Sequence, residues 1–428
     1  MHKINDFTKK RIAIVSTHPI QYYAPLFQTL ALQKELEIKV FYTWGNSVLK
    51  DKYDPDFGRS IEWDIPLLSG YNYHFTKNTA KQPGSSHFGG IVTPDLIKEV
   101  TSFEADAILM YGYAYQGHLK LMRHFKGKTP IWFRGDSTLL DEKRNWKSIL
   151  KKIYLFWIYH YIDKALYVGT NNKAYFLNYG IKAHQLQFVP HAIDNERFAV
   201  DRKEEADVLR KKLGLTDKDL LILYAGKLEE KKNPQLLLNA FMGLAKEHVH
   251  LLFVGNGVLE DSLKVDASTP CLPDRQPLSM TSTPDRQSLD GTTSNSLSRT
   301  TSTPLSRTNR IHFMDFQNQS QMPVVYQACD LFCLPSKGPG ETWGLAVNEA
   351  MAAGKAILVS DKVGCSVDLV KDGENGYIFK SEDLNDLSVK LKQLMETSTL
   401  KKMGQRSKDL LQEWTLQKQV NNILALFK

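Results

Sequence analysis

At 428 residues the chain is too long for one hydrophobic core and predicts two domains. Its 42% apolar and 24% charged residues are those of a soluble globular protein, and no apolar run reaches the length of a membrane span. A net charge of +8 suits nucleic acid, an anionic membrane surface or a phosphorylated substrate; no nucleic-acid module accompanies it, so nucleic acid is not expected as a partner.

In chain order, Met1-His2-Lys3-Ile4-Asn5-Asp6 lacks the apolar core of a signal peptide. Arg11-Ile12-Ala13-Ile14-Val15-Ser16 predicts a strand buried on both faces, followed by a loop holding His18 and a helix over residues 24–34. This is the opening of a doubly wound sheet, in which ligands collect at the C-terminal ends of strands. His18 can donate to a phosphate or accept a proton there, or it can simply fix the loop. Glu37-Ile38-Lys39-Val40-Phe41-Tyr42 predicts the second strand, and the loops of 45–90 read as a surface rich in aromatics, Gly and Pro. Within them Asp54-Pro55-Asp56 has an Asp-x-Asp form, but no apolar strand precedes it and Pro55 favours a turn, so no metal site is expected.

Ala107-Ile108-Leu109-Met110-Tyr111 and Pro130-Ile131-Trp132-Phe133 predict two more buried strands. Asp136 sits just past the second, at a strand's C-terminal end, and is a candidate for substrate contact; His118 is a weaker one. A brace between Arg134 and Asp136 is the alternative. Residues 143–162 join Lys143, Arg144, Lys147, Lys151 and Lys152 to a run of aromatics. Such a stretch can dock on an anionic membrane, or form a helix that packs its aromatics on the sheet; the packed helix is the preferred expectation. Residues 1–200 are expected as the first domain, and a charged segment over 201–212 leads into the second.

Leu220-Leu221-Ile222-Leu223-Tyr224-Ala225-Gly226 predicts the second domain's first strand. Asn233 and Pro234 suit the N-cap and first position of the next helix, and Lys227, Lys231 and Lys232 lie just ahead of it. Cations there oppose the helix dipole by roughly a few tenths of a kcal/mol unless an anion sits between, although Glu229 and Glu230 offset part of this. After His250-Leu251-Leu252-Phe253-Val254 the chain repeats Ser-Thr-Pro, Pro-Asp-Arg-Gln and Leu-Ser-Arg-Thr between 266 and 309, which predicts a disordered low-complexity insertion. Ile311-His312-Phe313-Met314 resumes the sheet, with Phe316 just beyond.

Asp330-Leu331-Phe332-Cys333-Leu334 predicts another buried strand, and Leu345 to Gly354 a helix with its glycine cap. Cys329 and Cys333 on an extended segment would stand roughly 13 Å apart, too far for a disulfide or a shared metal, so a reduced, cytoplasmic protein without structural zinc is expected. Between strand and helix lies Pro335-Ser336-Lys337-Gly338-Pro339-Gly340-Glu341-Thr342-Trp343-Gly344, a Gly-rich loop running into a helix N-terminus, which is a ready anion site. Glu341 and Glu349 beside that site make sense if the ligand offers hydroxyls as well as phosphates, as a nucleotide sugar does. A helix over 411–428 closes the chain.

Glu341 and Glu349, seven residues between them, with Trp343-Gly344-Leu345 inside and Ala350-Met351-Ala352-Ala353-Gly354 following, resemble the signature of glycosyltransferase family 4. Its members are retaining enzymes of the GT-B fold: two doubly wound, Rossmann-like α/β domains facing across a cleft. The resemblance covers 220–378 outside the insertion strongly and 11–198 more loosely. It implies an acceptor-binding domain over 1–200, a donor-binding domain over 201–410 and a final helix crossing back to the first domain. It further implies a metal-independent hexosyltransferase of polysaccharide or glycolipid biosynthesis, with a nucleotide sugar as co-substrate and no other cofactor. The acceptor would be a glycan, a lipid-linked carrier or a small molecule. Lys227 and Lys232 match cations that hold the donor diphosphate, Lys standing at 227 for the commoner Arg. Together with the helix start at Gly344 and Leu345 they would stabilise the leaving group. Glu349 would hold ribose, Glu341 the sugar, Phe316 the base, and Asp136 the acceptor side. His18 stands where many members carry a glycine pair, and Ala192 where a Gly is usual. A nucleotide-sugar epimerase of the same fold and a non-catalytic nucleotide-sugar-binding protein are the competing readings.

Overall fold

Continuous apolar runs become parallel strands covered on both faces, because such strands have no polar side to turn outward. The computed structural model describes residues 9–46, 53–54, 59–60, 62–143, 145–244, 246–269 and 307–428. In the first half the strands are Lys10–Ser16 (β1), Leu36–Tyr42 (β2), Tyr53–Asp54 (β3), Arg59–Ser60 (β4), Asn72–Phe75 (β5), Ala107–Tyr111 (β6), Ile131–Arg134 (β7), Lys164–Tyr167 (β8) and Leu186–Phe188 (β9). In the second half they are Leu220–Ala225 (β10), Val249–Val254 (β11), Ile311–Met314 (β12), Leu331–Leu334 (β13), Ala356–Ser360 (β14) and Gly376–Phe379 (β15).

Two parallel sheets result, ordered β5-β2-β1-β6-β7-β8-β9 and β12-β11-β10-β13-β14-β15; β3 and β4 pair antiparallel with each other. In each sheet the chain winds outward from the first strand, then returns to its other side. The reversals lie between β1 and β6 and between β10 and β13. At such a switch point the loops after neighbouring strands diverge and leave a crevice at the strands' C-terminal ends. All six residues of β10 are buried, as are all four of β13, so the crevice walls are rigid.

The last helix, Leu416–Leu424, packs against helix Ala24–Ala31, and its Val420 and Ile423 join the core of the first sheet. Gln419 and Asn422 of that helix also donate to the carbonyls of Pro190 and Phe188. The C-terminus thereby ties the two sheets together.

Three features depart from the sequence reading. Helix Glu260–Ser268 continues into the stretch expected as an insertion, with Ala267 buried, and a 3₁₀ turn at Arg307–Arg310 leads into β12. The insertion so read begins too early and ends too late; residues 270–306 lie outside the described residues. The edge strand β5 lies in the stretch expected as loop: its Asn72-Tyr73-His74-Phe75 is too short and too exposed for its alternation to stand out, and it takes its ladder from β2. Finally, Trp146–Tyr159 is a helix with an Asn145–Ser148 capping box that packs on the sheet as expected through Leu155, Ile158 and Tyr159, the last against Phe133, but leaves Trp146, Phe156 and Trp157 exposed rather than packed.

Candidate active site

Loops after β10 and β13 leave the second sheet side by side, joined by a hydrogen bond from the Lys337 N–H to the Lys231 carbonyl at 2.9 Å. Facing them from the first half are the loops after β1 and β7 and the chain after β9. Between lies a cleft of about 410 Å³ lined by Tyr22, Asp136 and His191 on one side and by Lys227, Lys232, Glu341 and Glu349 on the other. Gly344, Leu345 and Phe316 line it as well. Eight of the ten candidate residues expected from sequence therefore converge.

Each is held by identifiable contacts. Glu341 is 9% exposed, forms an ion pair with Lys232, and accepts from Ser336 Oγ at 2.7 Å. Lys232 lies on a 3₁₀ turn, Glu230–Lys232, ahead of helix Pro234–Met242. Asn233, expected as a side-chain cap, instead turns the chain in the left-handed region at φ +51°, a conformation Asn tolerates better than most residues. Gly344 is left-handed too, at φ +95°, and a Cβ there would meet Val363 Cγ1 at 2.8 Å. It starts helix Leu345–Ala352 with no side-chain cap among the described residues, so the first N–H groups border the cleft.

Glu349 lies on that helix, 3% exposed, accepting from Tyr22 Oη at 3.1 Å and Tyr326 Oη at 2.8 Å. Burial pushes its carboxyl up to about 7 against the opposing pull of the two tyrosines, Gln319 and Arg197. Burial, and then the charge of Glu349, also raises the Tyr22 phenol well above its ordinary range, so Tyr22 remains a donor. Asp136 accepts from Thr342 Oγ1 at 2.8 Å, bridging the cleft. It is not braced by Arg134, whose guanidinium instead donates to the Val189 and Pro190 carbonyls at 2.7 and 3.0 Å. Phe316 meets Trp63 edge-on, with ring centres 6.0 Å apart, which makes a two-ring mouth for a flat ligand group.

Two histidines lie elsewhere. His18 is not among the cleft-lining residues: its ring sits edge-on to Trp44, Nδ1 is 2.8 Å from Thr17 Oγ1, and burial lowers its pKa. His118 is fully buried, its two ring nitrogens held by Thr43 Oγ1 at 2.7 Å and the Gly112 carbonyl at 2.8 Å, and burial lowers its pKa to about 4. It fixes the start of its helix and cannot meet a substrate. Of Asp54-Pro55-Asp56, positions 55 and 56 lie outside the described residues.

Sequence reasoning missed Tyr22, Tyr326, Trp63 and His191. His191 is buried against Trp343, ring centres 5.7 Å apart, and its pKa falls well below the usual range through burial and then the charge of Arg134. Trp343 in turn donates Nε1 to Asn348 at 2.9 Å, and Asn348 donates to the His191 carbonyl at 3.2 Å. No local signal marks these residues: Tyr22, Trp63 and His191 meet their partners across the two halves, and Tyr326 reaches Glu349 from a separate helix 23 positions away.

A glycine-bordered helix start with Glu341 and Glu349 beside it is where a family comparison decides. Residues 205–276 and 299–410 match the family described as glycosyl transferases group 1. The second half of the chain belongs to that family. The group 1 match leaves the first half to structural likeness. HepE of Anabaena, solved in complex with UDP and glucose, superposes with a TM-score of 0.66 at 15% identity, covering 98% of this chain and 99% of that one. The likeness establishes the GT-B fold for the whole chain. Among curated relatives, the N,N'-diacetylbacillosaminyl-diphospho-undecaprenol alpha-1,3-N-acetylgalactosaminyltransferase of Campylobacter jejuni is 36% identical over 91 residues, which is 21% of this chain and 23% of that protein. The D-inositol 3-phosphate glycosyltransferase of Nocardia farcinica is 23% identical over 234 residues, 54% of this chain and 44% of that protein. The matched segments thus span less than half the length of either.

Proposed function

We propose that this group 1 protein is a retaining glycosyltransferase of family 4, moving a sugar from a nucleotide-sugar donor to an acceptor in polysaccharide or glycolipid assembly. The observation that carries the reading is one cleft holding Lys227, Lys232 and an uncapped helix start beside two buried carboxylates. The cations and the helix start suit a diphosphate, and the carboxylates suit the hydroxyls of ribose and sugar. The names of the two relatives above, each a sugar transferase, support the same class.

In this reading Glu349 accepts from the ribose hydroxyls, displacing Tyr22, while the base lies by Phe316 and Trp63. Glu341 accepts from sugar hydroxyls. As the bond between the anomeric carbon and the diphosphate oxygen breaks, negative charge grows on the diphosphate, where Lys227, Lys232 and the amides at Gly344 and Leu345 stabilise it. Asp136 lies on the opposite wall, where an acceptor hydroxyl would approach. The acceptor is a glycan, a lipid-linked carrier or a small molecule. A cytoplasmic setting is supported by Cys329, Cys333 and Cys365, which are buried free thiols. Among the described residues no helix is long and apolar enough to cross a membrane.

The test is release of nucleoside diphosphate across a panel of nucleotide sugars. Release that depends on acceptor, with the anomeric configuration retained in the product, supports the reading; donor converted to its epimer without acceptor overturns it. Turnover is expected to persist in EDTA, because cationic side chains and a helix terminus supply the charge that Mg²⁺ supplies in other transferases. Activity abolished by chelation and restored by Mn²⁺ would count against that assignment.

A further inference from the structure

The helix Trp146–Tyr159 is the outlier of the surface. Trp146 is 66% exposed, Ile149 62%, Leu150 55%, Ile153 64%, Phe156 64% and Trp157 43%. At 100° per residue these six side chains fall within about 120° of the helix circumference, opposite the buried Leu155, Ile158 and Tyr159. A contiguous stripe of large apolar groups is not an ordinary exposed surface. The backbone accommodates it: Gly180 has φ +98°, and a Cβ there would meet Phe156 Cδ2 at 2.4 Å, so a glycine lets the ring lie flat.

Charge selects the occupant. No acidic residue occurs from Asn145 to Tyr161, while Lys147 and Lys152 flank the stripe on either side and Lys143 precedes it. Lys147 stands 5.9 Å from the Trp146 ring centre. Lys151 is turned inward instead, paired with Glu142 at 2.5 Å and lying over the rings of Tyr175 and Tyr179. An apolar ridge between cations, without anions, suits a surface that is apolar inside and negatively charged at its rim. We infer that this helix docks the protein on an anionic phospholipid bilayer, lying in the headgroup layer with its outward stripe among the acyl chains. Fourteen residues make a helix of about 21 Å, enough to lie on a membrane and too short to span one.

Position links this surface to the cleft. The loop from β7 to the helix carries Asp136, bonded to Thr342, and Asp141, whose carboxylate accepts from the Gly340 N–H at 3.1 Å. Trp146 follows Asp141 by five residues, a reach of at most roughly 18 Å. Docking therefore brings the headgroups near the cleft wall opposite the donor. Resting on the transferase reading above, this selects a lipid-linked acceptor over a soluble glycan.

The full chain should float with vesicles of equimolar phosphatidylcholine and phosphatidylglycerol, and not with phosphatidylcholine alone. Ile153→Glu is expected to lower partition by about tenfold or more, since a charge replaces an exposed apolar side chain that would enter the acyl region. Lys147→Glu with Lys152→Glu should lower partition at low salt and abolish the decline with rising salt that wild type shows, because the attraction to anionic headgroups is gone. Both variants change exposed groups, and unaltered melting would show that folding is intact. Equal partition of Ile153→Glu and wild type overturns the inference. So does a wild-type dimer that Ile153→Glu dissociates while neither protein binds vesicles. Flotation reads docking alone and acceptor-dependent turnover reads the chemistry, so the two readings fail separately.

Discussion

Lys232→Ala is expected to lower kcat by roughly a hundredfold to a thousandfold, the usual loss when one donor to a developing anion is removed. Two roles are entangled at this residue. In the donor-free protein its ammonium is paired with Glu341, which is 9% exposed and also held by Ser336. Removing the lysine thus strips a charged partner from a mostly buried carboxylate, and stability should fall by about 1–3 kcal/mol. An isolated polar cleft residue would be lost more cheaply, so the pair changes what sequence alone suggests for this variant. A double-mutant cycle with Glu341→Gln separates the roles. If Lys232 only positions Glu341, the double variant turns over no more slowly than Glu341→Gln by itself. If Lys232 acts on the leaving diphosphate, the double variant loses a further hundredfold or so, while its stability recovers because no buried charge is left unpaired. Wild-type kcat in Lys232→Ala would remove the lysine from the mechanism altogether.

What could be read from the sequence follows from what the fold encodes locally. The strands β10 and β13 are apolar runs because both of their faces are covered, and glycines mark where the chain leaves the sheet. The spacing of Glu341 and Glu349 is a local geometry, a loop and little more than one helical turn, so it survives in one dimension. Tyr22 and Glu349 do not: they are 327 positions apart, and the bond exists only because two sheets face one another. The same holds for Asp136 with Thr342 and for His191 with Trp343. His18 and His118 illustrate the opposite error. A histidine near a strand end has the same local signature whether it faces a cleft or is locked by Thr43 and a backbone carbonyl, as His118 is. The helix after Asn145 was ambiguous for a further reason. Its periodicity specifies an apolar face, yet a short second face at Leu155, Ile158 and Tyr159 already suffices to anchor it, which leaves the longer stripe outward. Periodicity says that a face exists and not what covers it.

Glu349→Gln is expected to raise the donor KM by about tenfold to a hundredfold with kcat nearly unchanged, because a ribose contact is made alike in the ground and transition states. Its pH behaviour should be diagnostic. Burial holds the Glu349 carboxyl up to about 7, above the value it has when exposed in the unfolded chain. Between roughly pH 4.5 and pH 7 the folded protein therefore keeps a proton that the unfolded chain has released, and donor-free stability falls as pH rises through that window. Donor binding runs the other way. Ribose hydroxyls donate to the carboxylate, favour its ionised form, and so should bind more tightly as pH climbs through about 7. An amide at 349 removes both dependences: melting temperature and KM should each become flatter across roughly pH 5 to pH 9. The donor's own phosphates titrate identically with both proteins, so the difference between the two profiles belongs to Glu349. Parallel KM profiles for wild type and Glu349→Gln would show that this carboxyl does not hold the donor. If Tyr22→Phe then lowered the donor KM, by freeing Glu349 from the contact that ribose must displace, the competition between Tyr22 and ribose for one carboxylate would be demonstrated directly.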